Sequence, residues 1–255
     1  MNAERLVLLT IDTDLGRIAA RRLAARFSGL QIIVEERVSR WSLLGARVKH
    51  LGLWRVVGQL AFLVVARGLI RLSQARVRAL KTRLGLDDRW PDGAAPLRVA
   101  SVNAPDCLAA LHRIDPKAVL VVGTRIIHRD VLAAVPAAFI NYHAGITPKY
   151  RGIHGGYWAK AEGDLDNFGV TVHLVDPGID TGAVLYQARL TPEPQDNYAT
   201  FPYLQLAAGL PLLEQAAQDA LDGRLAPQAI DLPSRLWSHP TLWNYLIAGL
   251  THGAW

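Results

Sequence analysis

Three polar side chains in the second half of the chain have the types and spacing that chemistry at a carbonyl carbon requires. Asn141 and His143 are two positions apart, so on an extended strand they point the same way. Asp180 follows in a loop where Gly178 and Gly182 allow the backbone to bend tightly. When an amine attacks a carbonyl carbon, the oxygen becomes negative and the nitrogen positive. An amide donor and an imidazole stabilise the first charge, and a carboxylate helps with the second.

Strand ends and loops must position these residues. Ala118 to Val122 and Ala138 to Tyr142 are apolar runs typical of buried strands. The second run delivers Asn141 and His143 to the carboxyl edge of a parallel sheet, where open α/β folds bind ligands. An N-terminal strand, helix and strand complete the pattern. We therefore predict an α/β fold with a Rossmann-like, mostly parallel sheet flanked by helices.

A basic helical insertion interrupts this pattern. Residues 37–86 have helical spacing and contain eleven Lys or Arg but no Asp or Glu, whereas the whole chain has a net charge of +6. The rest of the chain is therefore net acidic. We expect the insertion to contact an anionic part of the substrate or an acidic membrane surface. A solvated helical subdomain or an oligomer surface is the alternative.

Composition sets the outer limits. We expect one catalytic domain over residues 1–222, including the insertion at 37–96, and a tail over 223–255 packed on it. Cys107 is the only cysteine, which excludes an intrachain disulfide and a four-thiol zinc site, and the histidines lack metal-ligand spacing. The longest apolar run, Val56 to Ala66, falls short of the ~20 residues that span a membrane. No signal peptide is visible, so we expect a cytoplasmic protein, with a peripheral position at the inner membrane surface left open.

The ordered motifs resemble one known family. Asn141-x-His143, a loop with Pro and Gly after it, Gly169 four residues before His173, and Ile-Asp180-x-Gly follow one another over about residues 118 to 190. This set resembles the folate-dependent formyltransferases, which include glycinamide ribonucleotide, methionyl-tRNA and sugar-nucleotide formyltransferases. The resemblance implies an N-formyltransferase that uses 10-formyltetrahydrofolate and no metal.

The same resemblance implies roles for the three polar residues. Asn141 would donate a hydrogen bond to the formyl oxygen as it becomes an oxyanion. His143 would assist that oxyanion and move a proton, and Asp180 would hold His143 and raise its pKa. His173 is either a partner of this trio or a satisfied polar residue of the core.

Two loops are implied to bind the folate, largely through backbone groups. They consist of Val122, Gly123, Thr124, Arg125, Ile126 and Ile127 in the first loop, and of Val175, Asp176, Pro177, Gly178 and Ile179 in the second.

The acceptor is less constrained by the sequence. Asp12 and Asp14 follow the first strand, where they would repel the phosphate of glycinamide ribonucleotide, and about thirty residues follow Gly223, too few for a tRNA-binding barrel. We expect a small, anionic amine, an amino sugar carried on a nucleotide, and no nucleic acid. Candidate acceptor-binding residues are Thr10, Asp12, Tyr150, Arg151 and Gly152.

Other functions stay open. The same trio would serve a 10-formyltetrahydrofolate hydrolase, or a formyltransferase that acts on glycinamide ribonucleotide or methionyl-tRNA. A membrane-surface-associated folate-binding protein is the alternative that is not an enzyme. A homo-oligomer is compatible with all of them.

Overall fold

A seven-stranded sheet forms the centre of the molecule. The computed structural model describes residues 5–37 and 52–255. The strands lie in the spatial order β3-β2-β1-β4-β5-β7-β8. Their bounds are β1 Leu6–Ile11, β2 Gln31–Glu35, β3 Leu97–Val99, β4 Ala118–Val122, β5 Ala138–His143, β7 Gly169–Leu174 and β8 Val184–Arg189, and a separate two-stranded sheet pairs β6 Arg151–Gly152 with β9 Leu236–Trp237.

Six strands of the main sheet run in the same direction and one runs against them. β3, β2, β1, β4 and β5 pair in parallel, whereas β7 is antiparallel to both of its neighbours, β5 and β8. All five residues of β4 are buried, as expected for a strand that is covered on both faces. The predicted mostly parallel α/β fold is therefore confirmed.

Helices cover both faces of the sheet. Their bounds are α1 Asp14–Arg26, α2 Leu53–Leu72, α3 Gln74–Arg83, α4 Pro105–Ile114, α5 Arg129–Leu132, α6 Gly155–Ala161, α7 Phe201–Leu221 and α8 Leu242–His252. Leu6 and Leu8 of β1 pack towards α1 and α7, whereas Val7 and Leu9 pack towards α4. This alternation places one apolar layer on each side of the sheet.

The register of the strands determines where the polar residues meet. Thr10 of β1 pairs with Val122 of β4, and Val121 pairs with Asn141 of β5. Three parallel strands therefore end at one edge. The antiparallel strand β7 then places His173 directly opposite Asn141.

The described part of the insertion contains a long helix. Gly58 and Gly68 lie inside α2, which continues through both over 20 residues. Trp243 of α8 packs so closely on Gly58 that a Cβ there would lie 2.3 Å from its Cζ2 atom, which explains the glycine. The basic residues Arg40, Arg47 and Lys49 lie outside the described residues.

Much of the positive charge of α3 is neutralised by acids from other parts of the chain. Arg76 pairs with Asp196 at 2.9 Å, and Lys81 lies 2.7 Å from both Asp14 and Asp88. Arg83 pairs with Glu193. The expected free cationic surface is therefore wrong for these three residues, because most of their partners are distant in sequence.

One helix among the described residues is long and apolar enough to cross a membrane. This helix is α2, whose best 18-residue window has a mean hydropathy of 1.6 and is 28% buried against the rest of the chain. The expectation that no segment is long and apolar enough was wrong, judged by length and composition alone. The predicted apolar run ended at Ala66, whereas the helix continues through Ile70 and Leu72.

The C-terminal segment is joined to the rest of the fold. β9 pairs in parallel with β6, and α8 lies against α2. The Trp237 ring stacks between Tyr150 at 5.7 Å and Trp158 at 4.6 Å, measured between ring centroids. Aromatic packing thus links residues 223–255 to the loop that follows β5.

Candidate active site

Asn141, His143 and Asp180 lie together at the carboxyl edge of the sheet. The first two lie at the end of β5, and Asp180 lies in the loop between β7 and β8. Nδ2 of Asn141 lies 3.3 Å from Oδ1 of Asp180, and Nδ1 of His143 lies 3.4 Å from Oδ2. The side chain of His143 is only 6% exposed and that of Asp180 is 14% exposed. The site is therefore enclosed, which strengthens electrostatic interactions inside it.

His143 has a defined protonation pattern. Its Nε2 lies 2.6 Å from the carbonyl oxygen of Tyr150. Because a carbonyl can only accept, Nε2 carries the hydrogen, and in the neutral ring Nδ1 is an acceptor that faces Asp180. Burial lowers the pKa of His143 below its usual value, although the Asp180 charge and the Tyr150 carbonyl act in the opposite direction. Asp180 thus raises the pKa as expected, but burial outweighs it.

Gly145 allows His143 to reach the Tyr150 carbonyl. A Cβ at position 145 would lie 2.6 Å from that oxygen and 2.8 Å from Nε2 of His143. No side chain fits at such distances, so only glycine allows this contact. Gly145 could not be identified from the sequence, since the contact joins residues that only the fold brings together.

A left-handed backbone conformation and a hydrogen bond from a neighbouring amide define the position of Asp180. Its backbone lies in the left-handed region with φ of 50°, and the Gly152 amide donates to Oδ2 at 2.8 Å. Burial opposes ionisation of the carboxyl, but interactions with neighbouring groups, among them the hydrogen bond from the Gly152 amide, outweigh it and lower the pKa of Asp180. The group is therefore a carboxylate at neutral pH.

His173 is a direct neighbour of the trio. Nδ1 of His173 donates to the Leu174 carbonyl at 2.7 Å, which leaves Nε2 to accept from Nδ2 of Asn141 at 3.0 Å. Nε2 also lies 3.4 Å from Oδ1 of Asp180. Of the two interpretations of His173 from the sequence, the structure supports the partner role. The bond fixes the amide of Asn141 with its nitrogen turned towards the carboxylate.

The first candidate cofactor loop, residues 122–127, is anchored by Glu35 of β2. Its exposed points are Gly123, with φ of 75°, and Ile126, which is 55% exposed, whereas Val122 and Ile127 are buried. The Arg125 amide donates to Oε2 of Glu35 at 3.0 Å, and the guanidinium of Arg125 pairs with the same carboxylate.

Glu35 is a functional candidate that the sequence analysis missed. It is 2% exposed at the end of β2, and its Oε1 also accepts from the Val102 amide at 3.0 Å. The signal in the sequence that could have identified Glu35 is an acidic residue at the end of an apolar strand. A carboxylate that is buried there needs hydrogen-bonding partners.

The second candidate cofactor loop, residues 175–179, is closed by its own side chains. Oδ1 of Asp176 accepts from the Gly178 amide at 3.0 Å and from the Thr181 hydroxyl at 2.6 Å. Arg151 donates from Nη1 to the Ile179 carbonyl at 3.1 Å. Pro177 and Ile179 remain exposed at its rim. Arg151 therefore braces this loop in the structure.

Two acceptor-binding candidates have side chains that are buried and already bonded. Thr10 is 0% exposed and donates to the Val122 carbonyl at 3.0 Å. Tyr150 is 1% exposed, and its hydroxyl donates to Asp164 at 2.7 Å. Apolar packing encloses both side chains, so they do not face a cleft. The Thr147–Pro148 bond, shortly before Tyr150 in the chain, is cis.

The carboxylate of Asp12 is paired. Oδ1 lies 2.8 Å from Nε of Arg17, and Oδ2 lies 3.2 Å from Nη2 of Arg98. Asp14 similarly pairs with Lys81. Cations from other segments thus compensate both acids, and the expected repulsion of a phosphate by Asp12 and Asp14 is removed.

The described residues lack a group of side chains that could bind a metal ion. Within residues 5–37 and 52–255, no three His, Cys, Asp or Glu side chains are grouped so that they could hold a metal ion. The site is instead built from neutral and charged hydrogen-bonding groups.

Comparisons with known proteins show similarity to formyltransferases over the region that contains this site. Residues 87–201 match the family model described as Formyl transferase. The methionyl-tRNA formyltransferase of Anaeromyxobacter dehalogenans (strain 2CP-C) is 33% identical over 136 residues, which make up 53% of this chain and 43% of that protein. The chain thus spans less than half the length of this curated relative.

Solved structures share the fold over most of the chain. A sugar N-formyltransferase from Shewanella sp FDAARGOS_354 has a TM-score of 0.56 at 15% identity, covering 91% of this chain and 75% of that one. An N-formyltransferase from Helicobacter canadensis, in complex with folinic acid and dTDP-3-aminofucose, has a TM-score of 0.54 at 14% identity, covering 91% and 70%. At these identities the likeness is one of fold.

Proposed function

We propose that this chain, whose residues 87–201 match the family model described as Formyl transferase, transfers a formyl group from 10-formyltetrahydrofolate to a primary amine. One observation carries the proposal: Asn141, His143 and Asp180 meet at a sheet edge with His173 as a fourth partner. This arrangement supplies a hydrogen-bond donor, a proton carrier and a carboxylate within a few ångströms of one another.

The first step is attack of the amine nitrogen on the formyl carbon. A carbon–nitrogen bond forms, and the carbonyl electron pair moves to oxygen. The amide of Asn141 has two N–H groups: one is bonded to His173, and the other has only a 3.3 Å contact with Asp180. The second is the donor for the oxyanion, because its present bond is the weaker of the two.

The second step transfers protons and breaks the bond to the folate nitrogen. The attacking nitrogen must lose a proton, and the leaving nitrogen must gain one. His143 presents an unprotonated Nδ1 beside the ionised Asp180, so it can take up a proton as negative charge develops next to it. Collapse of the intermediate gives tetrahydrofolate and the formamide.

The folate lies, in this proposal, between residues 122–127 and 175–179. Exposed Ile126 and Ile179 offer apolar contacts, and the backbone around Gly123 is open. The Helicobacter canadensis relative of the same fold binds folinic acid, which supports a folate at this site.

The acceptor in this proposal is an amino sugar carried on a nucleotide. One structural relative is a sugar N-formyltransferase by name, and another, an N-formyltransferase, is in complex with dTDP-3-aminofucose. Arg17 and Arg98 beside the end of β1 could receive the diphosphate by exchanging partners with Asp12. Methionyl-tRNA remains the second candidate, because the curated relative acts on it by name.

A direct assay separates these functions. The protein is incubated with 10-formyltetrahydrofolate, with and without amino-sugar nucleotides or methionyl-tRNA, and tetrahydrofolate formation is followed. We expect turnover only with an amino-sugar nucleotide. Turnover without any acceptor would show a hydrolase, and turnover only with methionyl-tRNA would contradict the proposed acceptor.

Variants then test the mechanism. Asn141→Ala, His143→Ala and Asp180→Ala should each lower kcat on the order of a hundredfold, while the folate Kd changes little. Arg113→Ala, an exposed residue of α4, is the control. Near-normal kcat in one of the three variants removes that residue from the mechanism.

A further inference from the structure

The helices α2 and α8 leave a continuous apolar surface exposed. Its members include Trp54 at 79%, Val64 at 66%, Ile247 at 60% and Leu250 at 80% exposure. Trp243 of α8 lies on Gly58 of α2, so the two helices form one surface, which we call the α2–α8 face. Clustered exposed side chains of this kind mark a binding surface on a folded domain.

The opposite side of α2 is fixed to the body of the protein. Phe62 is fully buried, with its ring centroid 5.0 Å from that of Tyr198 and 5.1 Å from that of Tyr245. Gln59 donates from Nε2 to the His239 carbonyl at 2.9 Å. Because these contacts hold one side of the helix, α2 lies along the surface and presents only its other side.

Cations without acidic partners border the α2–α8 face. Arg67 and Arg71 follow Leu60 and Val64 by seven residues each, so they lie on the same side of α2 two turns later. Both are exposed, and within residues 5–37 and 52–255 the structure records no ion pair for either. Residues 37–86 and 242–255 contain no Asp or Glu.

We propose that the α2–α8 face docks on an anionic lipid bilayer, with the apolar side chains at the headgroup boundary and the arginines on lipid phosphates. Charge selects this occupant. A second copy across a two-fold axis would place the same arginines near one another without an acid on either helix. An anionic surface complements them, and Trp54 is of the type enriched at membrane interfaces.

The proposal is independent of formyl transfer and concerns where the protein lies. Each basic residue near an anionic membrane contributes about 1 kcal/mol, a factor of about five in affinity. Replacing two arginines should therefore weaken binding on the order of twentyfold. The attraction should also weaken as salt is added.

Vesicle sedimentation with the full chain tests the proposal. The vesicles contain phosphatidylcholine alone, or phosphatidylcholine with about 30% phosphatidylglycerol. We expect binding to the anionic vesicles that Leu250→Asp abolishes and that Arg67→Gln with Arg71→Gln weakens. Formyl transfer or folate binding in solution and circular dichroism should stay unchanged in these variants, which separates lost docking from lost folding.

Matched controls use exposed residues elsewhere. Leu165→Asp replaces another exposed leucine, and Arg113→Gln with Lys117→Gln removes two other exposed cations. Equal loss of binding in test and control variants overturns the proposal. So does a wild type that ignores anionic vesicles at low salt, or a dimer, measured by sedimentation equilibrium, that Leu250→Asp dissociates while vesicles are not bound.

Discussion

Nδ1 of His143 faces Oδ2 of Asp180 across 3.4 Å, while the opposite ring nitrogen of His143 is fixed on the Tyr150 carbonyl. Because of these two contacts, an added proton can bind only at Nδ1, between the imidazole and the carboxylate. Burial lowers the pKa of His143 and so disfavours this proton, whereas the charge of Asp180 raises the pKa and favours it. The balance between the two effects leads to a first prediction.

Asp180→Asn should lower the pKa of His143 further. The carboxylate raises this pKa against the effect of burial, so a neutral amide leaves burial unopposed. NMR titration of labelled imidazoles, with His143→Gln to assign the resonance, measures the shift. In the active enzyme the acid limb of kcat/KM should lie below the ordinary histidine value of about 6.5. An unchanged or raised pKa in Asp180→Asn would contradict the described geometry.

Gly145→Ala should impair catalysis. The new methyl group would meet the Tyr150 carbonyl and His143 at 2.6 and 2.8 Å, so the imidazole must shift. Displacement of a catalytic group on the ångström scale lowers kcat by about a hundredfold.

Gly68→Ala is the matched control, because nothing lies within 4 Å of a Cβ there and the position is inside α2. It should keep its activity and gain about 0.5–1 kcal/mol of stability in urea unfolding. Equal kcat in the two variants would show that His143 does not depend on this contact.

Glu35→Gln should weaken folate binding more than it lowers kcat. Glu35 accepts from two backbone amides and from the Arg125 guanidinium, and a glutamine turns an N–H towards one of these donors. We expect a loss of about 2 kcal/mol in urea unfolding and a higher folate Kd by calorimetry. Glu36→Gln, at an exposed neighbouring position, is the control. An unchanged folate Kd together with lost stability would make Glu35 a residue of the fold alone.

Stability should fall with acid because of His154. Burial, with a further contribution from His239, lowers the pKa of His154 to about 3, while an unfolded histidine titrates near 6.5. Between these values only the unfolded chain binds the proton, so stability decreases as pH falls, by about 1.4 kcal/mol per unit.

His154→Asn should make this dependence shallower. Asparagine does not titrate, and it tolerates the left-handed backbone with φ of 60° found at this position. Urea unfolding from pH 7 to pH 5 gives the change in the free energy of unfolding with pH for each protein. Comparing these two slopes removes the effect of the lost contacts with Tyr198, which is the same at every pH. Parallel slopes would assign the acid sensitivity to other groups.

The sequence was sufficient for the sheet and for the clustering of its polar residues. Ala118–Val122 has the predicted bounds, and β5 extends the predicted strand by one residue to His143. Apolar runs predict buried strands well, and parallel strand ends must meet at one edge. The placement of Asn141 and His143 together at that edge therefore follows from spacing alone.

Contacts between distant segments could not be inferred in this way. The ion pair of Arg76 with Asp196 and that of Lys81 with Asp14 join residues far apart in the chain. The path of α2 through Gly58 depends on Trp243, which lies in another helix. Local composition describes the basic segment correctly but does not show which of its charges the fold neutralises.

The pairing of β6 with β9 has a consequence for the order in which the site forms during synthesis. The Arg151 amide donates to the Arg235 carbonyl and the Ile153 amide to the Trp237 carbonyl, on either side of the Gly152 amide that holds Asp180. Domains fold as their residues emerge from the ribosome, N-terminal parts first. A nascent chain that has reached β8 therefore contains every residue of the motif, but the strand that braces Gly152 is still missing. The loop that holds Asp180 therefore gains this support only when Trp237 has emerged and packs beside Tyr150.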